Sequence, residues 1–187
     1  LVAGIGQATP QVASPAALEI LSMRNGADVS AVSADKLGDH VRWMRPIGTQ
    51  EALVATSEGL LRVNTSTGAI AWSIGGPPIA MSASGWVVGP TAFVTDDESR
   101  LWSVALADGK LADTPCETRN KVSLPMRGAA VNERFAMLSA SGAAIFGTDG
   151  KLLGADTINS LGKLLPPVLA DGRIVAIESY DERVVQF

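Results

Sequence analysis

Short apolar runs with alternating polar positions recur along the whole chain, and each run is bounded by glycine, proline, aspartate, asparagine or serine. The runs are four to eight residues long. That length and a period of two residues are typical of half-buried β-strands. Apolar stripes with the period of a helix are almost absent, so the pattern predicts an all-β protein.

Four turn dipeptides that follow such runs are evenly spaced. They are Asn25-Gly26, Thr67-Gly68, Asp108-Gly109 and Asp149-Gly150, and their glycines lie 42, 41 and 41 residues apart. Glycine supplies the positive φ that a tight hairpin needs. Because apolar runs flank each turn and two more lie upstream, each repeat is predicted to hold four short strands.

Four-stranded units of about 40 to 45 residues are typical of β-propeller blades. A single small sheet cannot bury both faces, whereas sheets packed around an axis can. We therefore predict one β-propeller domain, or a segment of one, built of ~41-residue four-stranded antiparallel blades. The predicted parts are a blade remnant at 1–32, whole blades at about 41–74, 79–114 and 122–158, and a partial blade at 163–187.

Closed propellers typically have four to eight blades. Three whole blades and two partial ones therefore predict a partial propeller, whose ring is completed outside this sequence. The alternative is a compact closure in which the two end pieces share a blade.

The stretch LLRVNTSTGAIAW resembles the quinoprotein-type propeller repeat, also called the PQQ-like repeat. It has that repeat's apolar strand, its Thr-Gly turn, and a tryptophan four residues after the glycine, Trp72. RLWSVALADGKL and AAIFGTDGKLL keep the turn, but Asp113 and Gly154 stand in place of the tryptophan. WD40 repeats are the nearest alternative, although their Gly-His and Trp-Asp pairs are missing. We expect Trp72 on an outer strand, covering the seam with the next blade.

Quinone-dependent members of that family resemble one another in a vicinal cysteine pair, a tryptophan floor beneath the quinone, and carboxylate and amide calcium ligands. Cys116 is the only cysteine, so the pair cannot form, and no tryptophan matches the floor. The resemblance therefore implies a non-catalytic member that holds no cofactor. Cys116 itself is predicted to be either a small buried side chain or a thiol whose partner lies outside this chain.

Metal and catalytic motifs are also missing from the sequence. His40 is the only histidine, which excludes two-histidine metal motifs, and no nucleophile elbow or phosphate loop occurs. The acidic stretch TDDESR lacks the spacing of a calcium loop and is predicted to be a solvated hairpin tip. We predict no catalytic residues and no metal ligands.

Composition and charge restrict the partners. Apolar residues make up 47% of the chain, enough for a sizeable core. The net charge is −4 and the 15 basic residues are scattered, which argues against nucleic-acid binding. No apolar run approaches the ~20 residues of a membrane-spanning helix. A signal peptide or membrane anchor outside these residues stays open, because the sequence begins at Leu1.

In a propeller, the loops between second and third strands share one face with the loops between blades. Mixed charge on such a rigid platform suits recognition. The predicted binding-face residues are Asp39, His40, Asp96, Asp97, Glu98, Arg119, Lys121, Asp181, Glu182 and Arg183. The alternative is that they are simply the hydrophilic ends of hairpins.

We expect a non-catalytic propeller outside the cytoplasm, in the periplasm or cell envelope of a bacterium, that binds a protein or ligand as a scaffold. The expected partner is a protein, either the rest of the propeller or an envelope complex, and not nucleic acid. This expectation follows from the resemblance, because propellers of this type without quinone residues often look like assembly factors or surface receptors. Two alternatives remain: a segment of a PQQ-dependent dehydrogenase whose cofactor site lies elsewhere, and a ligand-sensing domain of a membrane-anchored protein.

Overall fold

A computed structural model describes the following parts of the chain: residues 2–5, 18–21, 28–32, 37, 40–79, 82, 84–96, 98, 100–116, 127–131, 133–139, 142–157, 168–170, 173–178 and 183–186. These residues form seventeen β-strands and no helix, so the all-β prediction is confirmed. Within this part of the chain there is no helix of the length and apolarity needed to cross a membrane. The chain divides into two compact units, Leu1–Gly85 and Trp86–Phe187, and each is described by itself.

The first unit contains two antiparallel sheets. Sheet A has three strands in the order β1-β2-β3, and sheet B has four in the order β4-β5-β6-β7. Their bounds are β1 Val2–Ile5, β2 Leu18–Leu21, β3 Asp28–Val32, β4 Val41–Ile47, β5 Glu51–Thr56, β6 Gly59–Asn64 and β7 Ile70–Gly75.

The two middle strands of sheet B carry the core of the first unit. Val54 and Leu61 lie opposite each other on β5 and β6, and both pack with Val32 of β3 and with Leu37. On β7 half-buried and exposed positions alternate, as expected for an outer strand. Trp72 lies on β7 and is half-buried, which confirms its predicted place on an outer strand.

Three antiparallel sheets lie in the second unit, except that Ser84 and Gly85, the first two residues of β8, belong to the first unit. Sheet C has the order β10-β9-β8, sheet D β11-β12-β13-β14, and sheet E β15-β16-β17. Their bounds are β8 Ser84–Val88, β9 Thr91–Thr95, β10 Leu101–Ala105, β11 Arg127–Val131, β12 Arg134–Leu138, β13 Gly142–Gly147, β14 Leu152–Thr157, β15 Val168–Ala170, β16 Arg173–Glu178 and β17 Arg183–Gln186. The first strands of sheets D and E, β11 and β15, are neighbours.

An aromatic cluster forms the core of the second unit. Phe93 of β9 stacks on Phe135 of β12 with ring centroids 4.6 Å apart, and Phe146 lies 6.2 Å from Phe135. All three rings are buried, together with Met137 and Leu101. Stacked sheets thus meet through the alternate side chains that the period-two pattern predicts.

Sheet C differs from the predicted four strands. The run KLADT at 110–114 is reduced to a single bridge between Leu111 and Val104. The amide of Ala112 donates to the Ser103 carbonyl, and that of Cys116 donates to the Leu101 carbonyl, at 2.9 and 2.7 Å. Between these two hydrogen bonds the segment has three residues, 113–115, whereas β10 has only one. The three residues therefore bulge away from the sheet.

The predicted glycine turns are confirmed at three positions. Gly68, Gly109 and Gly150 have φ of 71°, 74° and 77°, a region that favours glycine. The register shifts at the same place in sheets B and D, between Arg62 and Val63 and between Ile145 and Phe146. The repeat therefore holds in hydrogen bonding as well as in sequence. The Asn25-Gly26 turn lies outside the described residues.

A second repeated contact involves the first strands. The indole of Trp43 in β4 covers Gly85, and the indole of Trp86 covers Gly128 in β11. In each pair the glycine lies 42 residues after the tryptophan. The Trp43 Nε1 also donates to the Ser82 carbonyl, at 3.2 Å.

Candidate binding edges of the sheets

Three chain segments meet at one end of sheet B. The amide of Ser57, in the β5–β6 hairpin, donates to the carbonyl of His40, which precedes β4, at 2.9 Å. The amide of Gly76, which follows β7, donates to the carbonyl of Glu58 in the same hairpin, at 3.2 Å. We call this end, where the second-to-third-strand hairpin lies beside the loops that enter and leave a sheet, the loop edge. His40 and Glu58 are both exposed there.

A buried threonine holds the hairpin at this edge. Thr56 is 1% exposed, and its Oγ1 accepts hydrogen bonds from the amides of Glu58 and Gly59, both at 3.1 Å. The same oxygen donates to the Gly59 carbonyl at 3.3 Å. A Cβ on Gly59 would lie 2.8 Å from the Gly75 Cα, so only glycine fits beside β7. The exposed Glu58 therefore projects from a fixed turn.

In sheet C the corresponding hairpin is held by a buried carboxylate. Asp96 is 1% exposed. Its carboxylate accepts hydrogen bonds from the Arg100 amide and Nε, both at 2.7 Å, and from Trp102 Nε1 at 2.8 Å. The Arg100 guanidinium also lies 5.7 Å from the Trp102 ring and 2.6 Å from a carboxylate oxygen of Glu98. Asp96, Arg100 and Trp102, which we call the Asp96 clamp, hold the whole turn.

Two opposing effects act on the pKa of Asp96. Desolvation by burial raises that pKa, but the hydrogen bonds from Trp102 and Arg100 and the charge of Arg100 together outweigh it. The net pKa lies below the ordinary value of 3.8, so the carboxylate is ionised at neutral pH. The prediction that Asp96 is solvated is wrong, because its oxygens are used within its own hairpin.

Sheet D repeats the arrangement with a serine. Ser139 follows β12 and is 2% exposed. Its amide and its Oγ both donate to the Gly142 carbonyl, at 2.9 and 3.4 Å. Three successive sheets thus place a buried polar residue at the end of the second strand or directly after it. Each of these side chains, which we call a clamp, closes the turn to the third strand.

The predicted binding-face residues have different outcomes. His40 and Glu98 are exposed, and Arg183 is the first residue of β17. Asp96 is buried. The remaining six lie outside the described residues: Asp39, Asp97, Arg119, Lys121, Asp181 and Glu182. In the described ranges no group of three or more histidine, cysteine, aspartate or glutamate side chains could hold a metal ion.

Cys116 is a packing residue of the second unit. Its half-buried side chain packs against the aromatic core of the second unit. Desolvation by burial raises the pKa of the thiol to about 11, and a hydrogen bond with Ser103 only partly offsets this effect. The thiol is therefore protonated at neutral pH, which makes it a weak nucleophile.

Sequence reasoning missed Glu58, and it missed the clamp residues Thr56 and Ser139. A signal for the clamps was present, because Thr56, Asp96 and Ser139 end or directly follow the second apolar run of a repeat and lie 40 and 43 residues apart. Only the hydrogen bonds show that all three side chains hold a hairpin turn. Glu58 has no comparable sequence signal.

Comparisons with known proteins identify the fold. No family model matches the chain, and no curated protein matches it in sequence. Among solved structures, BamB from Moraxella catarrhalis is similar over 100% of this chain and 60% of its own, at 15% identity and a TM-score of 0.65. The WD40 β-propeller domain of Doa1 is similar over 91% of this chain and 57% of its own, at 12% identity and a TM-score of 0.60.

A third similar structure is KlAtg21, solved in complex with the coiled coil of AgAtg16. The match covers 91% of this chain and 59% of the KlAtg21 chain, at 11% identity and a TM-score of 0.65. The chain therefore has a β-propeller fold and spans about 60% of the length of each of these three solved structures. These identities show the fold alone.

Proposed function

We propose that this protein is a non-catalytic, extracytoplasmic propeller scaffold that binds a partner protein through its loop edges. The observation that carries the proposal is the set of buried clamps in three successive sheets. Because Thr56, Asp96 and Ser139 hold the hairpins from inside, exposed residues beside them project from fixed backbone. Pre-ordered loops lose little conformational entropy on binding, which favours affinity.

The exposed charges at these edges suit a protein partner. Glu58 lies at the loop edge of sheet B, and Glu98 lies in the hairpin of sheet C, where Arg100 pairs with it. Rim charges of this kind steer a partner and select against wrong ones. One neighbour in fold, KlAtg21, was solved with a coiled coil bound. That neighbour supports protein binding as a use of this fold, although fold alone does not fix function.

The location and the domain organisation belong to the same proposal. The resemblance of LLRVNTSTGAIAW to the quinoprotein-type repeat supports a place in the cell envelope. We also propose that the blade boundaries are those predicted above, with whole blades at about 41–74, 79–114 and 122–158. Fractionation of the source cells, with periplasmic and cytoplasmic marker enzymes, tests the location. Recovery with the cytoplasmic markers contradicts it.

Site-specific photo-crosslinking tests the binding edge. A photoreactive amino acid replaces His40 or Glu98 at the loop edge, and Ser66 or Asp108 serves as the matched control in exposed turns at the other end of the strands. We expect one protein to be captured from both loop-edge positions in intact cells and from neither control. Equal capture from all four positions, or capture from none, contradicts binding through the loop edges.

A further inference from the structure

A groove of about 410 Å³ runs along β6 and β7 in sheet B. Leu61 and Ile70 contribute apolar walls, while Gly59, Ser73 and Gly75 contribute little or no side chain. Gly59 and Gly75 lie directly opposite each other, so neither β6 nor β7 carries a side chain at this pair. The groove follows from the glycines that the tight hairpin requires.

The groove also exposes backbone groups of β7. The amide of Gly76 donates to the Glu58 carbonyl, which makes this a hydrogen-bonded pair of an antiparallel ladder. Such pairs alternate with non-hydrogen-bonded ones. Ile74 and Trp72 therefore turn their backbone groups toward β6, whereas Ser73 and Gly75 turn theirs outward. Within the described ranges no strand pairs with that outer edge.

β7 also lacks the residues that usually protect an open edge. Charged side chains and proline on an edge strand discourage pairing with another chain. The sequence of β3 contains Asp28, that of β14 contains Asp156, and the segment beside β10 contains Lys110, Asp113 and Pro115. Among the last strands of the sheets that the structure describes, β7 (IAWSIG) and β10 (LWSVA) have none of these, and β10 is covered by the segment at 110–116.

One charge lies at the end of the groove. Glu58 is exposed and is the only charged residue among the described residues that line the groove. The nearby Arg62 pairs with Glu51, with 2.5 Å between Nη2 and Oε2, so that cation is already neutralised. The net charge of the chain is −4. A basic side chain is therefore the complement that the groove favours.

From these features we propose that the outer edge of β7 docks an extended segment of a partner protein by strand addition. Main-chain hydrogen bonds form with Ser73 and Gly75, an apolar side chain enters the groove between Leu61 and Ile70, and a lysine or arginine pairs with Glu58. Strand addition combines main-chain affinity with side-chain selectivity in this manner. This surface shares Glu58 with the loop edge of sheet B but goes beyond the proposed loop-edge function, and its peptide test is independent of the crosslinks at His40 and Glu98.

The test uses two synthetic ten-residue peptides of alternating valine and threonine, one with a central lysine and its twin with glutamate. Binding to the protein is measured by fluorescence anisotropy. Protection of the Ser73 and Gly75 amides from hydrogen exchange is followed by NMR. We expect the lysine peptide to bind at least tenfold more tightly than its twin and to slow exchange at both amides. Absence of binding by both peptides, or binding without this protection, overturns the proposal.

Variants of Ser73 and Glu58 locate the site. Ser73→Pro removes an outward amide and no bond to β6, and proline is tolerated at such edge positions. We expect it to weaken binding at least tenfold, while Ser73→Ala retains binding. Glu58→Lys should reverse the preference between the two peptides. Unchanged binding by Ser73→Pro, or an unchanged preference in Glu58→Lys, overturns the proposal.

Two further measurements address a Ser73→Pro variant that fails to fold and a second copy of the chain as the occupant. If Ser73→Pro fails to fold, as judged by circular dichroism, a lysine peptide that is N-methylated at every backbone amide replaces it, because neither edge of that peptide can pair with a strand. We expect this peptide to lose binding, and equal binding overturns strand addition. Sedimentation tests a second copy of the chain as the occupant. Self-association that Ser73→Pro abolishes, with no peptide binding, overturns the partner-protein assignment.

Discussion

The indole of Trp86 lies directly against Gly128, and this contact leaves no room for a side chain on the glycine. A Cβ added to Gly128 would lie 2.5 Å from Trp86 Cε2 and 2.6 Å from Phe135 Cε2. Trp86 and Phe135 are themselves in contact, with ring centroids 5.1 Å apart. One glycine therefore sets how closely the first strand of sheet D approaches the aromatic core of the second unit.

The first prediction follows from this contact. Gly128→Ala forces two large rings to move, and overpacking of this kind destabilises by about 1 to 3 kcal/mol. We expect a lower midpoint in chemical denaturation at pH 7. Gly154→Ala is the matched control, because a Cβ there meets nothing within 4 Å. It should be neutral or stabilising by about 0.5 kcal/mol, and equal losses in the two variants contradict the prediction.

A second prediction concerns acid stability. The pKa of Asp96 is lowered in the folded protein, so the Asp96 clamp contributes stability above the ordinary value of 3.8. That contribution is lost as the pH falls through the lowered pKa of the folded state. Asp96→Asn should reduce the free energy of unfolding at pH 7 by about 2 kcal/mol. The difference from wild type should shrink as the pH falls below about 4.

The control for this variant is Asp108→Asn, because Asp108 accepts a hydrogen bond from the Lys110 amide in an exposed turn. An asparagine side chain can accept the same hydrogen bond. The control variant should change stability little at any pH. A difference between Asp96→Asn and wild type that stays constant from pH 7 to pH 2 contradicts the role assigned to Asp96.

The hairpins could be predicted from sequence because their chemistry is local. Gly68, Gly109 and Gly150 each adopt the positive φ that their turns need, and their even spacing is visible without coordinates. The irregular edge of sheet C could not be predicted in this way. Its apolar run resembles the others, and the bulge at 113–115 appears only when Cys116, rather than Thr114, is found opposite Leu101.

One feature of the site and one of the core depend on which side chains share a face. TDDESR reads as uniformly hydrophilic, so the sequence does not show which carboxylate turns inward. Asp96 does so because Arg100 and Trp102 both present donors to it. The Trp86–Gly128 contact could not be predicted from the sequence either, because it depends on how neighbouring strands pack.

A third prediction tests the threonine clamp. Thr56→Val keeps the shape of the side chain but leaves the amides of Glu58 and Gly59 without their acceptor. Buried donors without a partner cost about 1 to 3 kcal/mol, so the free energy of unfolding should fall by that amount. Thr56→Ser keeps the oxygen and removes one methyl group, which should cost about 1 kcal/mol or less. A greater loss in Thr56→Ser than in Thr56→Val contradicts the clamp.

The last prediction concerns the reactivity of Cys116. With a pKa raised to about 11, its thiolate fraction at pH 8 is on the order of one in a thousand, whereas an ordinary cysteine is roughly one-quarter ionised. Since the thiolate is the nucleophile, reaction with Ellman's reagent should be on the order of 100-fold slower than for free cysteine. Unfolding in guanidinium chloride provides the control and should restore an ordinary rate. A fast reaction in the native protein at pH 8 would show that the thiol is not held by the core and Ser103, and the packing role would then be wrong.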